Sequence, residues 1–157
     1  MEKASVTLMI VDDNEDDLFL LEEAQEALGN FEISAKLQSG EEVLPFLRRS
    51  LVTEAPIPDL ILLDINMPRK NGLDVLRELK TDALFNPLPV VVFSSSDRQQ
   101  DIDMAYERGA SSFVRKPIGF TALKELLERL VAYWRYVAGI SDPKDLQRFL
   151  DTRSKAR

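Results

Sequence analysis

The chain alternates short apolar runs with amphipathic stretches. Val6 to Val11 is an apolar run ending at Asp12-Asp13. A helical pattern follows, with Leu18, Leu21, Gln25 and Leu28 on one face, acids in its first turn and Gly29 as its stop. Phe31 to Leu37 predicts a second strand. Ser39 stands as N-cap of a helix running to about Arg49, in which Pro45 predicts a kink. A loop with two prolines, Thr53 to Pro58, leads to Leu60-Ile61-Leu62-Leu63, an unbroken apolar run that ends in Asp64. Asn66, Pro68 and Asn71-Gly72 punctuate the next loop, and Leu73, Leu76 and Leu79 mark a third helix. Pro89 opens Val90-Val91-Val92-Phe93, which ends in Ser94-Ser95-Ser96-Asp97. A helix over roughly Gln99 to Arg108 stops at Gly109. Ser112 to Arg115 is a short strand closed by Lys116-Pro117, and a long helix begins near Phe120.

Strand and helix thus alternate five times, and two strands are apolar throughout. Strands buried on both faces belong to parallel sheets covered by helices. The pattern predicts an α/β fold, a doubly wound five-stranded parallel sheet with helices on both faces.

Composition narrows the chemistry. The 157 residues suffice for one domain with a core, and 45% hydrophobic and 30% charged residues are those of a soluble globule. A net charge of −7 argues against a nucleic-acid groove. The absence of cysteine and histidine excludes disulfides, thiolate zinc sites, thiol catalysis and Ser-His triads. No apolar run approaches the ~18 residues of a membrane span, and no signal pattern opens the chain, so a cytoplasmic protein with no membrane partner is expected.

Right-handed crossovers place the carboxyl ends of all strands on one edge of the sheet, where open α/β folds put their ligands. Asp12, Asp13, Asp64, Ser94 and Lys116 each stand at such an end, so they are expected to converge. Two like charges ~4 Å apart repel by about 4 kcal/mol at an effective dielectric near 20. Three carboxylates against one ammonium therefore call for a cation. Oxygen ligands without His or Cys select Mg²⁺, with Mn²⁺ as the alternative ion.

Val11-Asp12-Asp13, Leu63-Asp64-Ile65-Asn66-Met67-Pro68, Ser94-Ser95, Gly109-Ala110-Ser111 and Lys116-Pro117 together resemble the receiver domain of two-component response regulators. The resemblance covers about Ala4 to Tyr133. It implies a flavodoxin-like sheet of strand order 2-1-3-4-5, a receiver domain over residues 4–138 and an extension over 139–157. It further implies that Asp64 accepts a phosphoryl group from a phosphohistidine on a sensor histidine kinase. Asp13, Asp64 and the backbone carbonyl of Asn66 would hold Mg²⁺, with Asp12 acting through water. Lys116 would share the phosphoryl charge, Ser94 and Phe113 would form the switch, and Asn66 and Ser96 would tune phosphate lifetime. Lys116-Pro117 would be a cis peptide. Ser at 94 and Phe at 113 replace commoner family residues, and neither breaks the mechanism. The chemistry is consistent: an ionised Asp64 needs no general base, and phosphoryl transfer is mainly positioning and charge neutralisation.

Three other readings compete. Asp12, Asn14, Asp16 and Glu23 match calcium-loop positions, but the turn glycine is replaced by Asp17. A haloacid-dehalogenase-type phosphatase also uses an Asp nucleophile, yet needs an acid where Asn66 stands. A flavodoxin-like FMN carrier shares the sheet, but the five acids within Asp12 to Asp17 would repel its phosphate.

The stretch after the receiver is too short for a DNA-reading domain, so a single-domain regulator acting by protein contact is expected. Phe120, Leu123, Leu126, Leu127, Leu130, Val131, Tyr133, Trp134 and Val137 cover about half the last helix, more than one sheet needs. Ser141-Asp142-Pro143 reads as a helix start, with Leu146, Phe149 and Leu150 on one face and a frayed basic tail from Arg153 to Arg157. A homodimer is expected through Leu126, Tyr133, Trp134, Val137, Leu146, Phe149 and Leu150. The two-proline loop, the helix from Asp101-Ile102 to Tyr106 and Tyr133-Trp134 are similar to regulators paired with bacterial phytochrome kinases, which implies a red or far-red light signal.

Overall fold

Five parallel strands in the order β2-β1-β3-β4-β5 form the centre of the computed structural model, which describes residues 5–137. The strands are β1 (Val6–Val11), β2 (Phe31–Leu37), β3 (Leu60–Leu63), β4 (Val90–Ser94) and β5 (Ser112–Arg115). Between them run α1 (Glu15–Leu28), α2 (Val43–Val52), α3 (Gly72–Thr81) and α4 (Gln99–Glu107), and α5 (Phe120–Ala132) closes the set. This is the doubly wound sheet, and the strand order, that the pattern and the resemblance predict.

The apolar runs are explained by the two layers they fill. Met9, Val11, Ile61, Leu63, Val90 and Val92 face one layer, shared with Val43 and Leu47 of α2, Val75, Leu76 and Leu79 of α3, and Ala105 of α4. Leu8, Ile10, Leu60, Leu62, Val91 and Phe93 face the other, with Leu18, Leu21 and Ala24 of α1 and Leu123, Leu127 and Val131 of α5. Each strand residue therefore meets a helix whichever way it points, so β3 and β4 carry no polar face. The edge strand β2 does alternate, because only one side of each residue pair reaches the core.

Local details refine the expectations. Pro45 falls in the first turn of α2, after a 3₁₀ turn at Gly40–Glu42 capped by the Ser39 side chain. There its missing N–H costs no helical hydrogen bond, so the proline does not interrupt α2 as the kink expectation required. Ala24 takes the buried place on α1, and Gln25 reaches outward to Glu32 of β2 at 3.0 Å. The Lys116–Pro117 bond is trans, as is every described peptide bond, against the cis bond implied by the resemblance. Trans is the favoured state even before proline, and the turn into α5 is taken by Gly119 at φ 91°.

Along α5, Leu123, Leu127 and Val131 are buried, while Phe120, Leu126, Leu130 and Trp134 pack partly against the same layer. The helix widens into a π-helical turn, Tyr133–Val137, where Tyr133 is 50% and Val137 72% exposed. The sheet thus accounts for part of the broad apolar arc and leaves its end uncovered. Leu146, Phe149, Leu150 and the rest of the expected extension lie outside the described residues.

Gly72 positions the site from below. Its N–H donates to the Ile65 carbonyl at 3.0 Å, and an added Cβ would lie 2.1 Å from the Asp64 carbonyl oxygen and 2.6 Å from Ile65 Cα. Both neighbours are backbone, so neither can swing away. Gly72→Ala is expected to lower unfolding free energy by at least about 2 kcal/mol in urea denaturation. A change within experimental error would show that the loop after β3 can retreat.

Candidate functional site

β1 ends at Val11, and the Asp12 N–H then bonds to the Leu37 carbonyl at 2.9 Å, holding Asp12 beside the end of β2. Its own Oδ1 accepts from Asn14 N–H at 2.9 Å, and Asn14 Oδ1 in turn accepts from Asp17 N–H at 3.1 Å, capping α1. The sequence Asp-Asp-Asn thus turns the chain from strand to helix while aiming carboxylates at the sheet edge. Because Asn14 caps a continuous helix from Glu15 to Leu28, Asp12, Asn14, Asp16 and Glu23 do not form a calcium loop. β3 delivers Asp64 alongside, with its N–H bonded to the Val11 carbonyl at 2.9 Å.

Asp12, Asp13 and Asp64 offer ligand oxygens that all lie within 4.8 Å of one another. From the end of β5, the Lys116 ammonium reaches Asp12 Oδ2 at 2.7 Å and Asp64 Oδ2 at 3.0 Å. It also reaches Asp17 Oδ2 in the first turn of α1 at 2.7 Å. Four carboxylates share one ammonium, so acidic groups are in excess. A hard divalent cation fits this all-oxygen donor set in both charge and chemistry.

Burial sets the protonation. Asp12 is nearly inaccessible, and desolvation pushes its carboxyl up to about 6, against the hydrogen bonds from Lys116 and the Asn14 N–H. Burial also pulls on Lys116 in the discharging direction, but Asp12, Asp17 and Asp64 outweigh it and push its pKa up. Lys116 therefore stays charged.

β4 brings Ser94 to the same edge, fully buried, where its Oγ lies 3.5 Å from Asn66 Nδ2 and accepts from Ser96 N–H at 3.2 Å. Asn66 N–H in turn lies 3.2 Å from Asp64 Oδ1. Ser94 and Asn66 thus join the acidic group. Ser96 turns elsewhere, donating to Asp101 Oδ2 at 2.6 Å and accepting from Arg98 N–H at 3.3 Å, so it fastens the start of α4. Phe113 lies one strand further out, half-buried, and its backbone N–H donates to the Tyr106 phenol of α4 at 3.1 Å.

Asp17 is the site residue that the pattern did not single out. Its partner is 99 positions away, and a first-turn acid reads as helix-dipole stabilisation. The available signal was spacing. Residues 14 and 17 are N-cap and third helical position, which puts Asp17 back over the end of β1.

The fold and the site define a doubly wound α/β domain with an oxygen-lined cation cluster and a fixed ammonium at its ligand edge. The chain belongs to the response regulator receiver domain family, whose model matches residues 8–128, and is a phosphoacceptor module of two-component signalling that works with histidine kinases. It is 31% identical over 127 residues to the probable methanogenesis regulatory protein FilR2 of Methanothrix harundinacea, covering 81% of this chain and 82% of that one. Among solved structures it is similar to the phosphorylated cyanobacterial phytochrome response regulator RcpA, with 30% identity and a TM-score of 0.79, over 88% of this chain and all of RcpA. The Mn²⁺-bound response regulator Rcp1, whose sequence is from Synechocystis, superimposes with a TM-score of 0.75 and 26% identity, over 87% of this chain and 99% of that one. Among the described residues no helix is long and apolar enough to cross a membrane.

The raised Asp12 pKa gives a signed expectation. In the metal-free protein, between about pH 4 and 6, Asp12 in the folded state holds a proton that the unfolded chain, near 3.8, has released. Asp12 therefore lends stability below about pH 4 that is lost as pH rises through about 6, at most about 3 kcal/mol. Added Mg²⁺ should raise the melting temperature more at about pH 7.5 than at about pH 5, and Asp12→Asn should flatten that difference. A pH-independent Mg²⁺ increment in the unsubstituted protein would contradict the assignment.

Proposed function

We propose that Asp64 is the phosphoacceptor of a receiver domain spanning residues 4–138. The observation that carries this reading is the Asp64 carboxylate, joined to Lys116 at 3.0 Å and lying within the three-carboxylate cluster. An Asp64 oxygen attacks phosphorus, the bond from phosphorus to the kinase histidine nitrogen breaks, and that nitrogen keeps the electron pair. Asp13, Asp64 and the Asn66 carbonyl would hold Mg²⁺, with Asp12 acting through water. Bound there, Mg²⁺ supplies positive charge to the phosphoryl oxygens. Lys116 pairs with one of those oxygens from the β5 side.

Ser94 and Phe113 form the switch. Ser94 Oγ lies 3.5 Å from the side chain of Asn66, whose backbone N–H contacts Asp64, so a phosphoryl oxygen on Asp64 can draw its hydroxyl inward. Asn66 and Ser96 tune the phosphate lifetime, Asn66 at the rim and Ser96 through the loop it shares with Ser94.

The partner is a sensor histidine kinase of the bacterial phytochrome type. The similarity to RcpA and Rcp1 supports this pairing, together with the two-proline loop and the Tyr133-Trp134 end of α5. The output is a protein contact, and the chain forms a homodimer through α5 and its extension. Tyr133, Tyr136 and Val137 are exposed apolar and aromatic side chains at the end of α5 and support that surface.

Intact mass after incubation with a small phosphodonor and Mg²⁺ is expected to show one added phosphoryl group on the unsubstituted chain and none on Asp64→Asn. Labelling of both would remove Asp64 as acceptor. A phytochrome kinase from the same organism should transfer its phosphoryl group to the chain, and no transfer from any such kinase would remove the light-signal pairing. Sedimentation of the same samples should give a dimer at tens of micromolar, whereas monomer with and without phosphodonor would remove the dimer.

A further inference from the structure

The Lys116 ammonium has three N–H donors and three carboxylate partners: Asp12 at 2.7 Å, Asp17 at 2.7 Å and Asp64 at 3.0 Å. Asp17 and Asp64 accept hydrogen bonds from it, and Asp12 is held as an ion pair. A phosphoryl oxygen arriving on Asp64 is a fourth acceptor around three N–H donors, so it competes with these carboxylates for Lys116.

The three are not equivalent. Asp12 and Asp64 belong to the carboxylate group whose oxygens lie close enough together to share a cation, and Asp17 does not. A divalent cation there would offset two of the three charges of Asp12, Asp13 and Asp64, whereas Asp17 stands outside that group and keeps its full charge on Lys116. Asp17 is also the wettest of the three, its side chain 30% exposed against 2% for Asp12 and 7% for Asp64. Water can therefore take its place when the ammonium turns away. Its backbone is fixed meanwhile by the N-cap hydrogen bond to Asn14, so the carboxylate stays within reach of Lys116.

We infer that Asp17 is a positioning residue that competes with the phosphoryl group for Lys116 and so weakens the hold of the site on a phosphoryl-like ligand. The inference rests on the reading of Asp64 as phosphoacceptor. It assigns to α1 a part in setting the phosphorylation equilibrium. Asp17 touches neither phosphoryl donor nor acceptor oxygen and acts only through the ammonium. Neutralising it releases one donor to the ligand and removes one negative charge from beside an anion.

Beryllofluoride, a non-covalent stand-in for the phosphoryl group, tests this at equilibrium in the presence of Mg²⁺. Its dissociation constant is read by fluorine NMR on the full chain, and melting temperatures confirm that each variant is folded. Asp17→Asn and Asp17→Ala are expected to bind it about tenfold more tightly than the unsubstituted protein. Asp17→Glu, which keeps the charge within reach of Lys116, should stay within about twofold. Asp16→Asn removes the same charge from the same helical turn, but Asp16 is not a partner of Lys116, and it too should stay within about twofold.

Unchanged affinity in both neutral variants at position 17 would overturn the inference. An equal gain in Asp16→Asn would overturn it as well, since general charge or helix-dipole effects would then suffice. If the unsubstituted chain does not bind beryllofluoride at all, the phosphoacceptor reading itself fails, an outcome separate from the other two.

Discussion

A single ammonium holds together three acidic chain segments that would otherwise repel one another. The crossover geometry of a doubly wound sheet obliges β1 and β3 to deliver Asp12 and Asp64 to one edge, and α1 adds Asp17. At an effective dielectric near 20, each close pair of like charges costs a few kcal/mol. Lys116, arriving from the end of the four-residue edge strand β5, offsets part of that cost and ties the shortest strands to the centre. The remaining excess of negative charge is what makes the edge receptive to a cation, and a cation in turn makes it tolerant of an anion. Structure and chemistry here draw on the same electrostatic energy.

The acidic edge is linked to the surface by a short chain of hydrogen bonds. Asp64 contacts the Asn66 backbone, the Asn66 side chain approaches Ser94, Ser94 accepts from the Ser96 backbone, and Ser96 grips Asp101 in α4. Each link is a small polar group whose partner can change without disturbing the apolar layers beneath. A shift of the Ser94 hydroxyl must therefore be felt first at the start of α4, an element with one fully buried residue and so little packing to resist.

The parts of the fold that were legible in the sequence are those where one physical demand dominates. Leu60–Leu63 and Val90–Phe93 are buried on both sides, so their composition alone marks them as central strands. Asp12, Asp13, Asp64, Ser94 and Lys116 were legible because topology fixes where a strand ends. Pro45 misled because the 3₁₀ turn ahead of α2 shifts the helix start, turning an interior position into a first-turn one. The Lys116–Pro117 bond could not be read, since proline permits both isomers at little difference in energy. Asp17 was hidden among neighbouring acids, because which of them faces Lys116 depends on the angle at which α1 leaves β1. The widening of α5 into a π turn at Tyr133 has no sequence signal that we can name.

The hydrogen bond from the Phe113 N–H to the Tyr106 phenol has a consequence beyond the site. β5 is an outer strand, and the backbone donors on its free side could template another chain. The phenol occupies one of them and lays α4 against that margin, so growth of the sheet from copy to copy is obstructed there. Strand-to-strand growth at β5, the least selective form of self-association, is thereby obstructed.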